Sequence, residues 1–139
     1  MCKILLIEDN EGDIFLIKEA LHESNFHGDV LEIKDGEAAI TFFLEEKSKK
    51  QVSSINLILL DVNLPKKNGH EVLKFIKNND ALKHIPVVML TTSSSENDIK
   101  KAYQNHVNSY ITKPSDTEEY YDVITNIKNY WFFTTQLSN

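Results

Sequence analysis

Short apolar runs alternate along the chain with longer stretches whose apolar residues recur every three or four positions, the pattern of βα units that build a parallel sheet. Lys3-Ile4-Leu5-Leu6-Ile7-Glu8 reads as a first strand, apolar on both faces as a strand between two helix layers must be. From Glu11 to about Ser24, Ile14, Ile17, Ala20 and Leu21 fall on one face of a helix. Gly28 opens a second strand, Val30 to Ile33, and Asp35-Gly36 turns the chain into a helix carrying Ala39, Ile40, Phe43 and Leu44. The polar stretch Lys47 to Ser54 predicts a surface loop. A third strand, Ile55 to Leu60, ends at Asp61, and beyond Pro65 to Gly69 a helix carries Val72, Leu73 and Ile76. The fourth strand is Ile85 to Leu90, with Pro86 tolerated at its entry. Ser93-Ser94-Ser95-Glu96 offers an N-cap for a fourth helix reaching about Asn105. Ser109 to Thr112 forms the fifth strand, closed by Lys113-Pro114, and Asp116 caps a fifth helix with Tyr120, Val123, Ile124 and Ile127 on its buried face. The expected architecture is α/β: a doubly wound five-stranded parallel sheet flanked by five helices.

Length and composition narrow this further. At 139 residues the chain fits one domain, and 41% apolar with 26% charged residues is an ordinary globular balance. Its 15 basic residues are all lysine against 21 acidic ones, a net charge of −6. Nucleic acid is excluded as an expected partner, because a polyanion calls for a basic stripe and base readout leans on the arginine fork. The single Cys2 has no disulfide partner and no neighbours at zinc-ligand spacing. No apolar run approaches the roughly 18 residues of a membrane span. The N-terminus enters a strand at once and meets acid at Glu8, so no signal peptide is expected. A reducing cytoplasm fits these features best.

Open parallel sheets bind ligands beyond the carboxyl ends of their strands, beside the point where strand order reverses. The first strand ends in Glu8-Asp9, the third in Asp61, the fourth in Thr91-Thr92 and the fifth in Lys113; the second ends in nothing similar. In the order 2-1-3-4-5, three carboxylates converge with a hydroxyl and an ammonium beside them. Two unit charges about 4 Å apart repel by roughly 4 kcal/mol at an effective dielectric near 20, so a cation belongs there. A small hard ion with oxygen ligands, Mg²⁺, meets the need through Asp9, Asp61 and a backbone carbonyl. Such an ion also suits transfer of a phosphoryl group onto a carboxylate, with Thr91 and Lys113 as donors to its oxygens. Asp61 follows the most apolar strand and is the expected nucleophile. The Thr-Thr-Ser run at a strand exit predicts an exposed Thr91 hydroxyl.

Glu8-Asp9, then Asp61-Val62-Asn63-Leu64-Pro65 with Gly69, then Thr91-Thr92, then Tyr110-Ile111-Thr112-Lys113-Pro114 resemble the receiver-domain pattern of two-component response regulators, in the correct order and across essentially the whole chain. The resemblance implies the flavodoxin-like receiver fold as a single domain over residues 1–139 with no output domain. It implies Asp61 as phosphoacceptor, Asp9 as a direct Mg²⁺ ligand, Glu8 as a second acid acting partly through water, and Asn63 as a backbone-carbonyl ligand. Thr91 and Lys113 would bind the phosphoryl oxygens, Tyr110 would be the switch aromatic, and Lys113-Pro114 would be a cis peptide. The partner implied is a sensor histidine kinase; the protein would catalyse its own phosphorylation and slow dephosphorylation without being a turnover enzyme. Asp61-Val62-Asn63-Leu64-Pro65, the loop Lys47 to Ser54, Ser93 to Ile99 and the aromatic tail Tyr130-Trp131-Phe132-Phe133 are most similar to single-domain regulators serving phytochrome-type kinases. Glu11 departs from the proline common in that group, and Asn10 lies where it can affect dephosphorylation.

Blander roles stand beside these. Glu8-Asp9 alone is an ordinary solvated strand end, Asp61 alone a turn-initiating residue, Thr91 a β-branched strand residue and Tyr110 half-buried packing. Their joint placement at one sheet edge is what favours function. The histidines, His22, His27, His70, His84 and His106, show no ligand spacing and read as surface or packing residues. Adjacent Trp131, Phe132 and Phe133 cannot all face one core on a helix of period 3.6, so some face outward, and a homodimer through the fourth helix, fifth strand, fifth helix and these aromatics is expected. Two other functions compete: an aspartyl-nucleophile phosphatase, disfavoured because Asn63 stands where a second Asp is needed, and a receiver-like adaptor that binds without phosphorylation.

Overall fold

Ile4 and Leu6 point to one face of the first strand and Leu5 and Ile7 to the other, and all four are buried, as the continuous apolar run requires. The protein is described here from a computed structural model, covering residues 2–135 and 137. The strands are β1 (Lys3–Ile7), β2 (Asp29–Ile33), β3 (Leu57–Leu60), β4 (Val87–Thr91) and β5 (Ser109–Thr112). They form one parallel five-stranded sheet in the order β2-β1-β3-β4-β5.

The helices are α1 (Glu11–Glu23), α2 (Gly36–Leu44), α3 (Lys49–Ser53), α4 (Gly69–Lys77), α5 (Glu96–Gln104) and α6 (Thr117–Asn129). The fourth and fifth helices expected from sequence are therefore α5 and α6. Helices α1 and α6 cover one sheet face, where Ile14, Ile17, Ile124 and Ile127 meet Leu57, Leu59, Val88 and Leu90. The opposite face carries α2, α4 and α5, where Ala39, Phe43, Leu73, Ile76 and Ala102 meet Ile58, Leu60, Val87 and Met89. Each of these Val, Leu, Ile, Met or Phe side chains contributes about 1.5–3 kcal/mol on burial. Side-chain caps start the helices that border the C-terminal sheet edge: Asn10, Asp35, Ser95 and Asp116 each accept a bond from the backbone N–H three residues on. At α4, Asn68 and Glu71 form a reciprocal capping box.

Three expectations need correction. Lys47 to Ser54 is not a plain loop but a 3₁₀ turn, Glu46–Ser48, followed by α3, which makes six α-helices among the described residues. Val52 anchors this segment against the α2 side of the core, and Ser48 is buried. Leu44 lies off the buried face and is 64% exposed, because its neighbour Phe43 takes the inward position. The Lys113-Pro114 peptide is trans, as is every other peptide among the described residues; proline tolerates both isomers at a small energy difference, so the residue pair alone does not fix one. Past α6 the chain widens into a π-helical turn, Tyr130–Thr134, where the Thr135 N–H donates to the Tyr130 carbonyl. Cys2 is a free thiol, and no helix among the described residues is long and apolar enough to cross a membrane.

Candidate functional site

Pairing of Ile7 with Leu60 in the β1–β3 ladder sets the next residue of each strand side by side. Asp61 N–H donates to the Ile7 carbonyl at 3.1 Å, and Glu8 N–H to the Ile33 carbonyl at 3.0 Å, so both acids leave the sheet from fixed backbone. Carboxylate oxygens of Glu8, Asp9 and Asp61 lie within 4.8 Å of one another, with Glu8 and Asp61 buried and Asp9 exposed. Gly69 closes in from behind: a Cβ there would stand 2.1 Å from the Asp61 carbonyl oxygen, so only glycine allows the α4 start to approach the acid's backbone this closely. Across the edge, Thr91 pairs with Thr112, and the Lys113 N–H donates to the Thr91 carbonyl at 2.7 Å.

Lys113 is buried, and its ammonium donates to Glu8 Oε1 at 2.6 Å and to Asp13 Oδ2 at 2.8 Å, with Asp61 Oδ2 at 3.9 Å. Burial works against its charge, but the bonds to Asp13 and Glu8 outweigh that and raise its pKa, so it stays an ammonium. Burial pushes the Glu8 carboxyl up to about 7, with the Asp61 charge adding to the shift and the Lys113 bond opposing it. The Glu8 Oε2 atom also accepts from the Asn10 N–H at 3.2 Å. Asp61 Oδ1 is buried without a hydrogen-bond partner among the described residues. An orphaned carboxylate oxygen facing two further carboxylates is an oxygen-only donor set, which fits a small hard divalent cation.

The other expected residues fall around this pit. Thr91 is fully buried, not exposed as its strand-exit position predicts: it is still inside the β4–β5 ladder, and its Oγ1 accepts from the Ser93 N–H at 3.3 Å. Tyr110, half-buried in β5, donates its hydroxyl to the Ser93 carbonyl at 2.8 Å. Asn63 is exposed in the loop after β3, two positions beyond the nucleophile candidate.

Two groups escaped sequence reasoning. Asp13 turns from the first turn of α1 toward Lys113, and Tyr120 of α6 reaches the same carboxylate, its hydroxyl 3.3 Å from Asp13 Oδ1. Burial, then the charges of Asp13 and Glu8, push the Tyr120 phenol far above its ordinary range, which keeps it a donor. His70, read from sequence as surface or packing, is buried and hydrogen-bonded through Nε2 to Asp98 at 2.9 Å. The available signal for Asp13 was its position three residues after Asn10, whose side chain accepts its N–H at 2.9 Å.

Comparison with known proteins agrees with this geometry. The response regulator receiver domain model matches residues 4–125. Response regulator Rcp1 of Synechocystis sp. is 42% identical over 134 residues, covering 96% of this chain and 91% of that protein. The probable methanogenesis regulatory protein FilR2 of Methanothrix harundinacea is 43% identical over 129 residues, covering 92% and 82%. Among solved structures, the phosphorylated cyanobacterial phytochrome response regulator RcpA superposes with a TM-score of 0.92 at 43% identity, over 99% of both chains. The Mn²⁺-bound form of Rcp1 superposes with the same score of 0.92 at 40% identity over the whole of both chains.

Proposed function

The chain belongs to the response regulator receiver family, and from that premise we propose that it is a phosphoacceptor: Asp61 takes a phosphoryl group from a sensor histidine kinase, with Mg²⁺ held by Glu8, Asp9, Asp61 and the Asn63 backbone carbonyl. The observation that carries this is the convergence of Glu8, Asp9 and Asp61 within 4.8 Å, with the Lys113 ammonium 3.9 Å from Asp61 and one Asp61 oxygen without a hydrogen-bond partner among the described residues.

In the transfer, an Asp61 oxygen attacks phosphorus, a P–O bond forms, and the P–N bond of the donor phosphohistidine breaks with its electron pair leaving on the imidazole. A cation held by these residues would supply charge neutralisation for the phosphoryl oxygens. The protein's own groups do the rest. Lys113 carries a permanent positive charge beside the reacting carboxylate, and the sheet holds Asp61 in line at no cost of reorganisation. Thr91, held inside the ladder, offers its hydroxyl to a phosphoryl oxygen once it turns from the Ser93 N–H. Release of that loop frees Tyr110 from the Ser93 carbonyl and alters the surface of α5, β5 and α6. A coupling of about 1–3 kcal/mol is typical for such a switch. Self-catalysed phosphorylation and slow hydrolysis make this a signalling module and not a turnover enzyme.

Likeness to the cyanobacterial phytochrome response regulator RcpA supports a phytochrome-type kinase as partner. The α5–β5–α6 surface together with the C-terminal aromatics supports a homodimer: Tyr103 and Tyr130 are exposed, a groove of about 260 Å³ lined by Ile111, Val123 and Trp131 opens between β5 and α6, and Phe133 is exposed beside Phe26 and Gly28. The acidic charge, the single free cysteine and the receiver fold support a cytoplasmic setting.

Incubation with acetyl phosphate and Mg²⁺ tests the central claim. The expected product is a base-labile acyl phosphate on Asp61 that lasts minutes and is absent from Asp61→Asn. Rapid turnover of many donors would instead indicate a phosphatase, and absence of modification an adaptor.

A further inference from the structure

Lys113 has two nearer partners than the carboxylate it is expected to serve. Its Nζ lies 2.6 Å from Glu8 and 2.8 Å from Asp13 but 3.9 Å from Asp61, beyond hydrogen-bond reach. Glu8 belongs to the acid pit itself. Asp13 does not: it sits on α1 outside the three-carboxylate cluster, and its placement is built from three sides. Asn10 fixes its backbone N–H at 2.9 Å, Lys113 takes one carboxylate oxygen, and the buried Tyr120 hydroxyl takes the other at 3.3 Å. A residue near the start of the chain whose two oxygens are engaged by Lys113, just after β5, and by Tyr120 of α6 is held in one orientation.

We propose that Asp13 is a positioning residue that restrains Lys113, competing with the phosphoryl group on Asp61 for the lysine's charge and so setting how strongly the phosphorylated state is held. This rests on the phosphoacceptor reading of Asp61 and extends it to a residue outside the acid pit. Two effects share one sign. Asp13 draws the ammonium away from Asp61, and its own negative charge opposes the further negative charge that a phosphoryl group adds. Asn at position 13 keeps the shape and can still accept from Lys113, but it removes the charge that holds the lysine.

The test is the affinity of the full chain for beryllofluoride, a phosphoryl mimic, at saturating Mg²⁺. Asp13→Asn is expected to bind roughly two- to fivefold more tightly than the parent chain, the range of a partly exposed charge pair, and to retain its acetyl-phosphate label correspondingly longer. A merely structural role has the opposite sign, because loosening α1 against α6 weakens the site. Equal or weaker binding by Asp13→Asn therefore overturns the assignment. Lys113→Ala provides the second arm: in that background only the direct repulsion is left for Asp13→Asn to relieve, so its gain should be clearly smaller than with the lysine present, and an undiminished gain without the lysine shows that Asp13 does not act through it. Failure of the parent chain to bind beryllofluoride at all would remove the phosphoacceptor reading and this inference with it, whereas parent binding without a gain in Asp13→Asn removes only this inference.

Discussion

Nε2 of His70 lies 2.9 Å from Oδ1 of Asp98, and this bond ties the first turn of α4 to the first turn of α5. Asp98 Oδ2 accepts from the Ser93 hydroxyl at 2.6 Å, and the Ser93 carbonyl accepts from Tyr110 at 2.8 Å. A chain of polar contacts thus runs from beside Gly69, which presses on the Asp61 backbone, to the aromatic of β5. Each link between separate elements is a place where packing on one side constrains the other.

His70→Ala is expected to destabilise the fold by about 1–3 kcal/mol, since it empties a buried site and removes a hydrogen bond to a carboxylate. Urea unfolding measures this directly. Acid titration gives a second signature. The Ser93 hydroxyl and then His70 hold the Asp98 carboxyl below its ordinary 3.8, so its contribution to stability is present above that value and lost as pH falls through the lowered one. The acid limb of the stability curve should be shallower in His70→Ala; an unchanged limb would show that Asp98 draws nothing from the histidine.

Glu8 behaves in the opposite way. Its folded-state value of about 7 lies above the ordinary 4.5, so the folded protein binds the proton more tightly than the unfolded chain. The stability this contributes is full below 4.5 and lost as pH rises to about 7. Unfolding in the presence of a chelator should show this decline, and Glu8→Gln should remove it. Saturating Mg²⁺, which needs the carboxylate ionised, should flatten the slope.

Tyr110→Phe deletes one hydrogen bond to the Ser93 carbonyl and is expected to cost about 0.5–1.5 kcal/mol. Its more telling effect is on signalling. NMR shifts in α5 and α6 on beryllofluoride binding should shrink in this variant while the affinity for the mimic changes little. Full-sized shifts would relieve Tyr110 of the switch role.

Self-association should depend on the C-terminal aromatics. Tyr130 is 53% and Phe133 74% exposed, whereas Trp131 and Phe132 are half-buried against the α1–α6 side, Phe132 with its ring 5.5 Å from Phe26. Replacing Tyr130 and Phe133 together by Ser is expected to shift sedimentation toward the monomer without loss of fold. A parent chain that sediments as a monomer at all concentrations would exclude the dimer.

Strand ends were the legible part of this sequence. Runs such as Leu57 to Leu60 announce a doubly covered strand, and the acid or lysine that follows each run is then at one sheet edge by topology. The Ser95 and Asp116 caps were equally readable, because capping is local chemistry between neighbours in the chain. Asp13 with Lys113 and Tyr120, and His70 with Asp98, were not. Each is a pairing of side chains distant in sequence, with no periodicity to mark it, and Tyr120 was already accounted for as part of a buried stripe. The short helix α3 escaped because polar residues surround its one anchoring side chain, Val52.

The ladder register that aligns Ile7 with Leu60 has a thermodynamic corollary. Asp9 and Asp61 are far apart along the chain and meet only when β1 and β3 are correctly paired, so the unfolded polypeptide has no comparable chelating site. Occupancy is then linked to the folding equilibrium of the entire domain, with a gain of about 2.7 kcal/mol when free ion exceeds its dissociation constant a hundredfold. Depletion of divalent ions would register as a lowered melting temperature everywhere in the molecule, α2 and β2 included, and not as a local loosening around the acids.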